Sequence, residues 1–247
     1  MTFAKLETFQ NNLDSKHIVK KAPFIEVGKI PNQFVKEAFV FSYKMTFGEE
    51  GAHRDCRSGG THHRNKSEIF SNTFLGKLCE FALYLELNGS HKINKPDLTV
   101  CKLGIWDKYD FKIDDKTVSL KSTKSFGQLL LLEKKDWTSE GEYIPNNNEK
   151  YDFTFMVRLK NDPETIIRKN GLILSDNCDF DKLWDMFSNN DWSYDIPRYI
   201  SHHELKYLIN NDFVIYKGDT LNGKTVVDAD NYYCHIADMH KLKKYSE

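Results

Sequence analysis

Three residues whose side chains suit phosphate chemistry fall within twelve positions of one another: Asp110, Ser119 and Lys121. A carboxylate can hold a hard divalent cation. An ammonium can neutralise developing negative charge, and a hydroxyl can donate or accept a hydrogen bond beside either. Their stretch, Lys108–Thr123 (KYDFKIDDKTVSLKST), has the pattern of two strands joined by a tight turn at Asp114-Asp115. Alternation puts Tyr109, Phe111 and Ile113 on one face of the first strand and Asp110 and Lys112 on the other. In the return strand Val118 and Leu120 take the apolar face, so Thr117, Ser119 and Lys121 share a side with Asp110. Both strands must send their apolar residues to one core, and a slip of one residue would invert one of them. A two-residue loop therefore sets Phe111 opposite Val118 and Asp110 opposite Ser119. Lys121 is then diagonal to Asp110, across roughly 7 Å of backbone separation that its long side chain can close.

This frame, Asp110 followed by eight residues and then Ser119-Leu120-Lys121, resembles the active-site hairpin of the PD-(D/E)xK nuclease superfamily, which includes type II restriction endonucleases. Ser119 departs from the pattern, standing where that family usually has Glu or Asp. Some restriction enzymes are similar in having Ser there and drawing the acid from a helix elsewhere. The resemblance covers about residues 70–160, in the order helix with Glu, strand, Asp strand, Lys strand, later strand. It implies a restriction-endonuclease-like core and Mg2+-dependent hydrolysis of double-stranded DNA. It also implies Asp110 and Glu80 as metal ligands, Ser119 as their neighbour, Lys121 as the group that orients the attacking water, and a homodimer that cuts both strands of a palindromic target. Two alternatives remain open: a repair or recombination nuclease of the same superfamily, and a non-catalytic DNA-binding protein with a decayed site, which Ser119 makes credible.

Phe70–Leu87 has the pattern of a helix that is apolar around most of its circumference and so packs against a sheet. Its charges are Lys77, Glu80 and Glu86. A carboxylate in such a place is costly without a partner or a cation, so Glu80 is either the partner of Lys77 or the second metal ligand. Glu133 is the competing source of that acid. It ends Gln128–Glu133, a leucine run that suits a strand or a short helix equally, and a capping or surface role is its alternative. Asp97 makes the literal Pro-Asp dipeptide, but Asp110 is preferred because register places it opposite Ser119.

Positive charge concentrates in His53–Lys66 (HRDCRSGGTHHRNK), where four Lys or Arg stand against the single acid Asp55. Arg54, Arg57, Arg64 and Lys66, with Lys124 beyond the hairpin, are the candidate DNA contacts. A solvated loop is the plainer reading of the patch. A zinc site of Cys56 with His62 or His63 has neither a second thiol nor a standard spacing.

The remaining pattern predicts a helix-rich residue range 1–50 with an apolar stripe after Pro31, and strands over Leu98–Trp106 and Tyr151–Lys160. It also predicts a helix over Cys178–Ser188 capped by Asp179, and another opened by the Ser201/Glu204 capping box, which leaves His202 and His203 as first-turn residues with no metal role. A hairpin about Asn222-Gly223 is expected to join Phe213–Tyr216 to Thr225–Val227.

The chain has 247 residues, 40% hydrophobic and 13% aromatic, enough for one sizeable core. A net charge of −1 excludes a uniformly basic nucleic-acid coat, so any DNA contact must be a local patch. Five scattered cysteines without a Cys-x-x-Cys pair suit buried thiols in a reducing compartment. With no apolar run of about 20 residues and no signal pattern, the expectation is a cytoplasmic protein without a membrane partner. The expected fold is a single domain over residues 1–247 of α/β (α+β) class, with a mixed sheet of four or five strands flanked by helices.

Overall fold

Apolar periodicity and capping chemistry determine where the long elements begin. In the computed structural model, which describes residues 2–11, 14–48, 65–100, 109–172 and 178–242, the Asn65 side chain accepts from the Glu68 amide at 2.9 Å. The Glu68 carboxylate accepts from the Asn65 amide at 2.9 Å. This reciprocal cap starts the central helix one turn earlier than the apolar pattern suggests.

In chain order the elements are β1 (Glu7–Asn11), β2 (Asp14–Ile18), β3 (Glu26–Lys29), α1 (Asn32–Phe47), α2 (Lys66–Leu87), β4 (Phe111–Ile113), β5 (Lys116–Lys124), β6 (Leu129–Glu133) and β7 (Phe153–Leu159). Then follow α3 (Pro163–Lys169), α4 (Phe180–Ser188), β8 (Ser193–Asp195), β9 (Arg198–Ser201), α5 (His202–Asn210), β10 (Val214–Ile215), β11 (Thr220–Leu221), β12 (Thr225–Val226), β13 (Asn231–His235) and β14 (His240–Lys241). The class is mixed α+β, with helices flanking sheets.

The main sheet runs β14-β9-β7-β5-β4, with β8 joining β7 and β3 joining β8, so it has seven strands rather than the four or five expected. The additional strands are two to four residues long, too short for alternation to reveal them. β4 and β5 are antiparallel, whereas β5 and β7 are parallel, so residues 125–152 form a crossover over one face. Helices α1 and α2 cover the other face, where Phe39, Phe70, Phe74, Leu78 and Phe81 pack with Val157 and Leu159 of β7. The crossover face carries a second apolar layer, built from Leu130 and Leu132 of β6, Trp137, Leu205 and Leu208 of α5, and Tyr232 and Tyr233 of β13. Among the described residues, no helix is long and apolar enough to cross a membrane.

Three expectations need correction. The range 1–50 is not simply helical: β1 and β2 form a polar hairpin that joins β11 and β12 in a four-stranded sheet. Asn222 and Gly223 do turn the chain, with φ 52° and 65°, but between β11 and β12; β10 pairs instead with β13. Tertiary pairing thus overrides the nearest apolar neighbour in sequence. Residues 98–100 carry no strand, and the rest of Leu98–Trp106 lies outside the described residues, while Ile93 bridges Ile113 of β4. The leucine run resolves as the strand β6, buried at alternate positions Leu130 and Leu132.

Candidate active site

The hairpin register is the one the apolar faces demand: Phe111 pairs with Val118, Lys112 with Thr117 and Ile113 with Lys116. Asp114 takes φ 48° in the turn, and its carboxylate accepts from the Lys92 amide at 2.9 Å and lies 2.8 Å from His91 Nδ1. The ladder ends at Phe111: the Asp110 amide donates to the carbonyl of Val118, the residue already paired with Phe111, at 3.1 Å, so Asp110 stands one residue out of register and is not paired with Ser119 as expected. Asp110 Oδ2 then accepts from the Leu120 amide at 2.6 Å. This bond ties the exposed carboxylate to the strand that carries Ser119 and Lys121. Among the described residues no donor engages its Oδ1.

Both faces of β5 are covered, but by different chemistry. Val118, with Phe111, Ile113 and Phe155, packs under Leu83 and Leu87 of α2. On the reverse face Ser119 lies beside Thr154 and Lys121 beside Met156 of the parallel strand β7. Ser119 is buried and Lys121 half-buried. The Lys121 ammonium stands 5.9 Å from the centre of the Tyr143 ring and has no ion-pair partner among the described residues. Such a contact holds a cation without cancelling its charge.

Tyr143 belongs to an aromatic triangle on the crossover, with ring centres 5.1 Å from Trp137 and 6.0 Å from Tyr151. Burial pushes the Tyr151 phenol above its ordinary pKa, and the negative charge of Asp110 adds to the shift. Lys121 and Tyr143 therefore meet beneath the crossover, with Tyr151 in the same aromatic group. Neither tyrosine was accessible to sequence reasoning, since nothing in their spacing relates them to residues tens of positions away. Asp152 was missed as well. Its carboxylate accepts from the Thr117 amide at 2.9 Å and the Thr117 hydroxyl at 3.1 Å, and its other oxygen lies 3.2 Å from the Lys116 ammonium, closing the turn end of the hairpin.

Glu80 finds a partner on its own helix. Its carboxylate lies 2.7 Å from the Lys77 ammonium, with both side chains mostly buried, on the helix that covers the opposite face of β5. Of the two roles expected for Glu80, the structure shows the Lys77 ion pair, on the helix that packs over the Val118 side of β5. Asp97 is on that side too, its carboxyl held below the usual range by the Thr99 hydroxyl and amide and, more weakly, by Lys77. Glu133 ends β6 opposite Asn231, within the layer that covers the Lys121 face.

Lys124 and Lys66, expected on DNA, are engaged within the fold. The Lys124 ammonium lies 3.0 Å from both Asp162 and Glu164, and Lys66 donates to the Thr46 carbonyl at 3.0 Å. Arg54, Arg57 and Arg64, with Cys56, His62 and His63, lie outside the described residues.

Among the described residues no three His, Cys, Asp or Glu side chains are grouped as a metal cage. The exposed carboxylate of Asp110 nevertheless suits magnesium. That ion keeps several waters and is commonly held by one or two carboxylates together with substrate phosphate. The same donor set would not make a tetrahedral zinc site. In comparison with protein-family models, curated proteins and solved structures, the chain has no match in any of the three.

Proposed function

We propose that the protein is a magnesium-dependent endonuclease for double-stranded DNA, a type II restriction enzyme built on a PD-(D/E)xK-like hairpin. The observation that carries the reading is the β4–β5 hairpin, which ties the Asp110 carboxylate to the Leu120 amide, next in sequence to Lys121, whose ammonium has no acidic partner among the described residues. Lys124 finds two carboxylates, whereas Lys121, like half-buried Lys36 and Lys134, rests against an aromatic ring. An ammonium left unneutralised beside an open carboxylate suits a substrate that brings its own negative charge.

Asp110 would hold the magnesium ion, which when bound supplies Lewis-acid polarisation of the phosphate and an activated water. Lys121 binds a phosphate oxygen and orients the water, and its charge offsets what develops on phosphorus in the transition state. Ser119 offers a hydroxyl on the Lys121 face in place of a second acid, and Glu133, at the end of β6 in the layer over that face, is the competing source of one. Two copies related by a two-fold axis would meet both strands of a palindrome in equivalent ways. This reading places the enzyme in the cytoplasm.

A second reading, a DNA-binding protein without catalysis, is favoured by Ser119 alone. A plasmid-nicking assay with and without magnesium separates the two. Magnesium-dependent conversion of supercoiled to linear DNA by wild type, absent in Lys121→Ala and on addition of EDTA, supports the endonuclease. Binding without cleavage at any magnesium concentration supports the alternative.

A further inference from the structure

The crossover that brings Tyr143 to Lys121 also builds a small loop at its rim. Tyr143 bridges Trp137 on one side and Glu149 on the other, and the Tyr143 amide donates to the Glu149 carbonyl at 2.9 Å. The Asn146 amide returns to the Tyr143 carbonyl at 3.2 Å, and the Glu149 amide to the Asn146 carbonyl at 3.1 Å. The loop is thus closed at its root by the residue whose ring faces the Lys121 ammonium. Two residues past its end stands Tyr151, whose phenol feels the charge of Asp110.

Ile144 is 46% exposed, followed by exposed Pro145. Asn147 and Asn148 take φ 54° and 58°, two consecutive left-handed residues that are not glycine. Asparagine tolerates that region better than most side chains but still pays a cost relative to glycine. Both asparagines are exposed, and among the described residues neither side chain has a hydrogen-bond partner. A tip that presents two exposed amides and an apolar side chain, rooted at the residue whose ring faces Lys121, fits recognition of base edges. Asn can pair bidentately with adenine, and isoleucine and proline can contact or wedge against bases.

We propose that the Ile144–Asn148 loop is the element through which the protein reads DNA bases beside the bond presented to Asp110 and Lys121. Asn147 and Asn148 are its hydrogen-bonding side chains and Ile144 its apolar contact. The inference rests on the endonuclease reading and deepens it, naming duplex DNA with adenine near the cut as the ligand of this loop.

The test uses the full chain and a linear duplex library of randomised sequence, with the cut ends sequenced. Asn147→Gly and Asn148→Gly, singly and together, remove the amides while keeping a residue that adopts positive φ freely, so the folded loop is retained. A thermal midpoint within a few degrees of wild type checks this, and if the double variant melts earlier, the single variants decide. The expected result is that wild type cuts at a motif containing adenine. Preference at one or two positions of that motif should then fall by on the order of tenfold or more in the variants, while magnesium dependence is unchanged. Cutting of the same motif with the same preference by all three variants would overturn the loop assignment and leave the endonuclease reading standing. Wild type that cuts no member of the library with magnesium would instead overturn the endonuclease reading itself, and the loop assignment with it.

Discussion

Lys121 and Lys124 lie three residues apart on one strand and are treated in opposite ways by the fold. Lys124, at the end of β5, is clamped between Asp162 and Glu164 at 3.0 Å each; Lys121, in the middle, faces the Tyr143 ring at 5.9 Å and no described carboxylate. Odd spacing sends the two side chains to opposite faces of the sheet. One emerges beside α3 and its N-terminal acids, the other beneath the crossover. A matched lysine contributes modestly to stability. An unmatched one retains its full charge for a ligand, and that difference is the main physical reason to assign chemistry to residue 121 and not to residue 124.

The strongest way to break this contrast is to remove each ammonium in turn. Lys121→Ala is expected to lower plasmid cleavage at least about 10²-fold, the scale seen when a preorganised electrostatic contact is lost, whereas Lys124→Ala should cut within a few-fold of wild type. Equal losses in the two variants would remove the distinction. Asp110→Asn should be nearly as damaging. It keeps the Leu120 amide bond while removing the charge that holds the ion, so part of the activity should return at raised magnesium.

A sharper comparison sets Glu80→Gln against Glu133→Gln, which change charge with little change of shape. Because Glu80 is paired with Lys77, Glu80→Gln should leave the magnesium requirement of cleavage as it is and lower the thermal midpoint, since it unmatches the mostly buried Lys77. Glu133→Gln should show the larger change in magnesium requirement. A steep rise in the Glu80 variant alone would restore the helix carboxylate as the second ligand.

The smallest effect concerns stability. Burial works against the charge of Lys124, but the hydrogen bonds from Asp162 and Glu164 outweigh it and raise its pKa above the ordinary 10.5. A raised lysine stabilises the fold fully below its unfolded pKa and loses that contribution as pH climbs through the folded value. Lys124→Ala should therefore cost about 1 kcal/mol or less in denaturant titrations at pH 7. That difference should persist to pH 9 and shrink only in strongly alkaline solution. A difference that vanished near neutrality would show that the pair is not formed.

Much of the site is legible in the residue pattern of the hairpin. The alternation of Phe111 and Ile113 against Val118 and Leu120 permits one register, and the shared face of Ser119 and Lys121 follows from it because side-chain direction in a strand is a local property, whereas Asp110 falls one residue out of that register. The Asn65–Glu68 cap, the Asp179 cap and the Ser201–Glu204 box are local in the same sense, and the last two follow directly from residue spacing. Glu80 shows the limit. Its setting marks it as a buried carboxylate in need of a partner, which is correct, but spacing alone does not say whether the partner is Lys77 or a metal on the far side of β5.

What the sequence determined by itself is the hairpin: its turn, its register from Phe111 to Val118, and the face shared by Ser119 and Lys121. Which faces are covered, and by what, was decided by the tertiary structure alone. The parallel pairing of β5 with β7 sends residues 125–152 across the Lys121 side and leaves α2 on the other. That choice brings Tyr143 to Lys121 and gives Lys124 its acids. Contacts between residues tens of positions apart depend on how layers stack rather than on local periodicity, so they leave no mark in the spacing of the residues that make them.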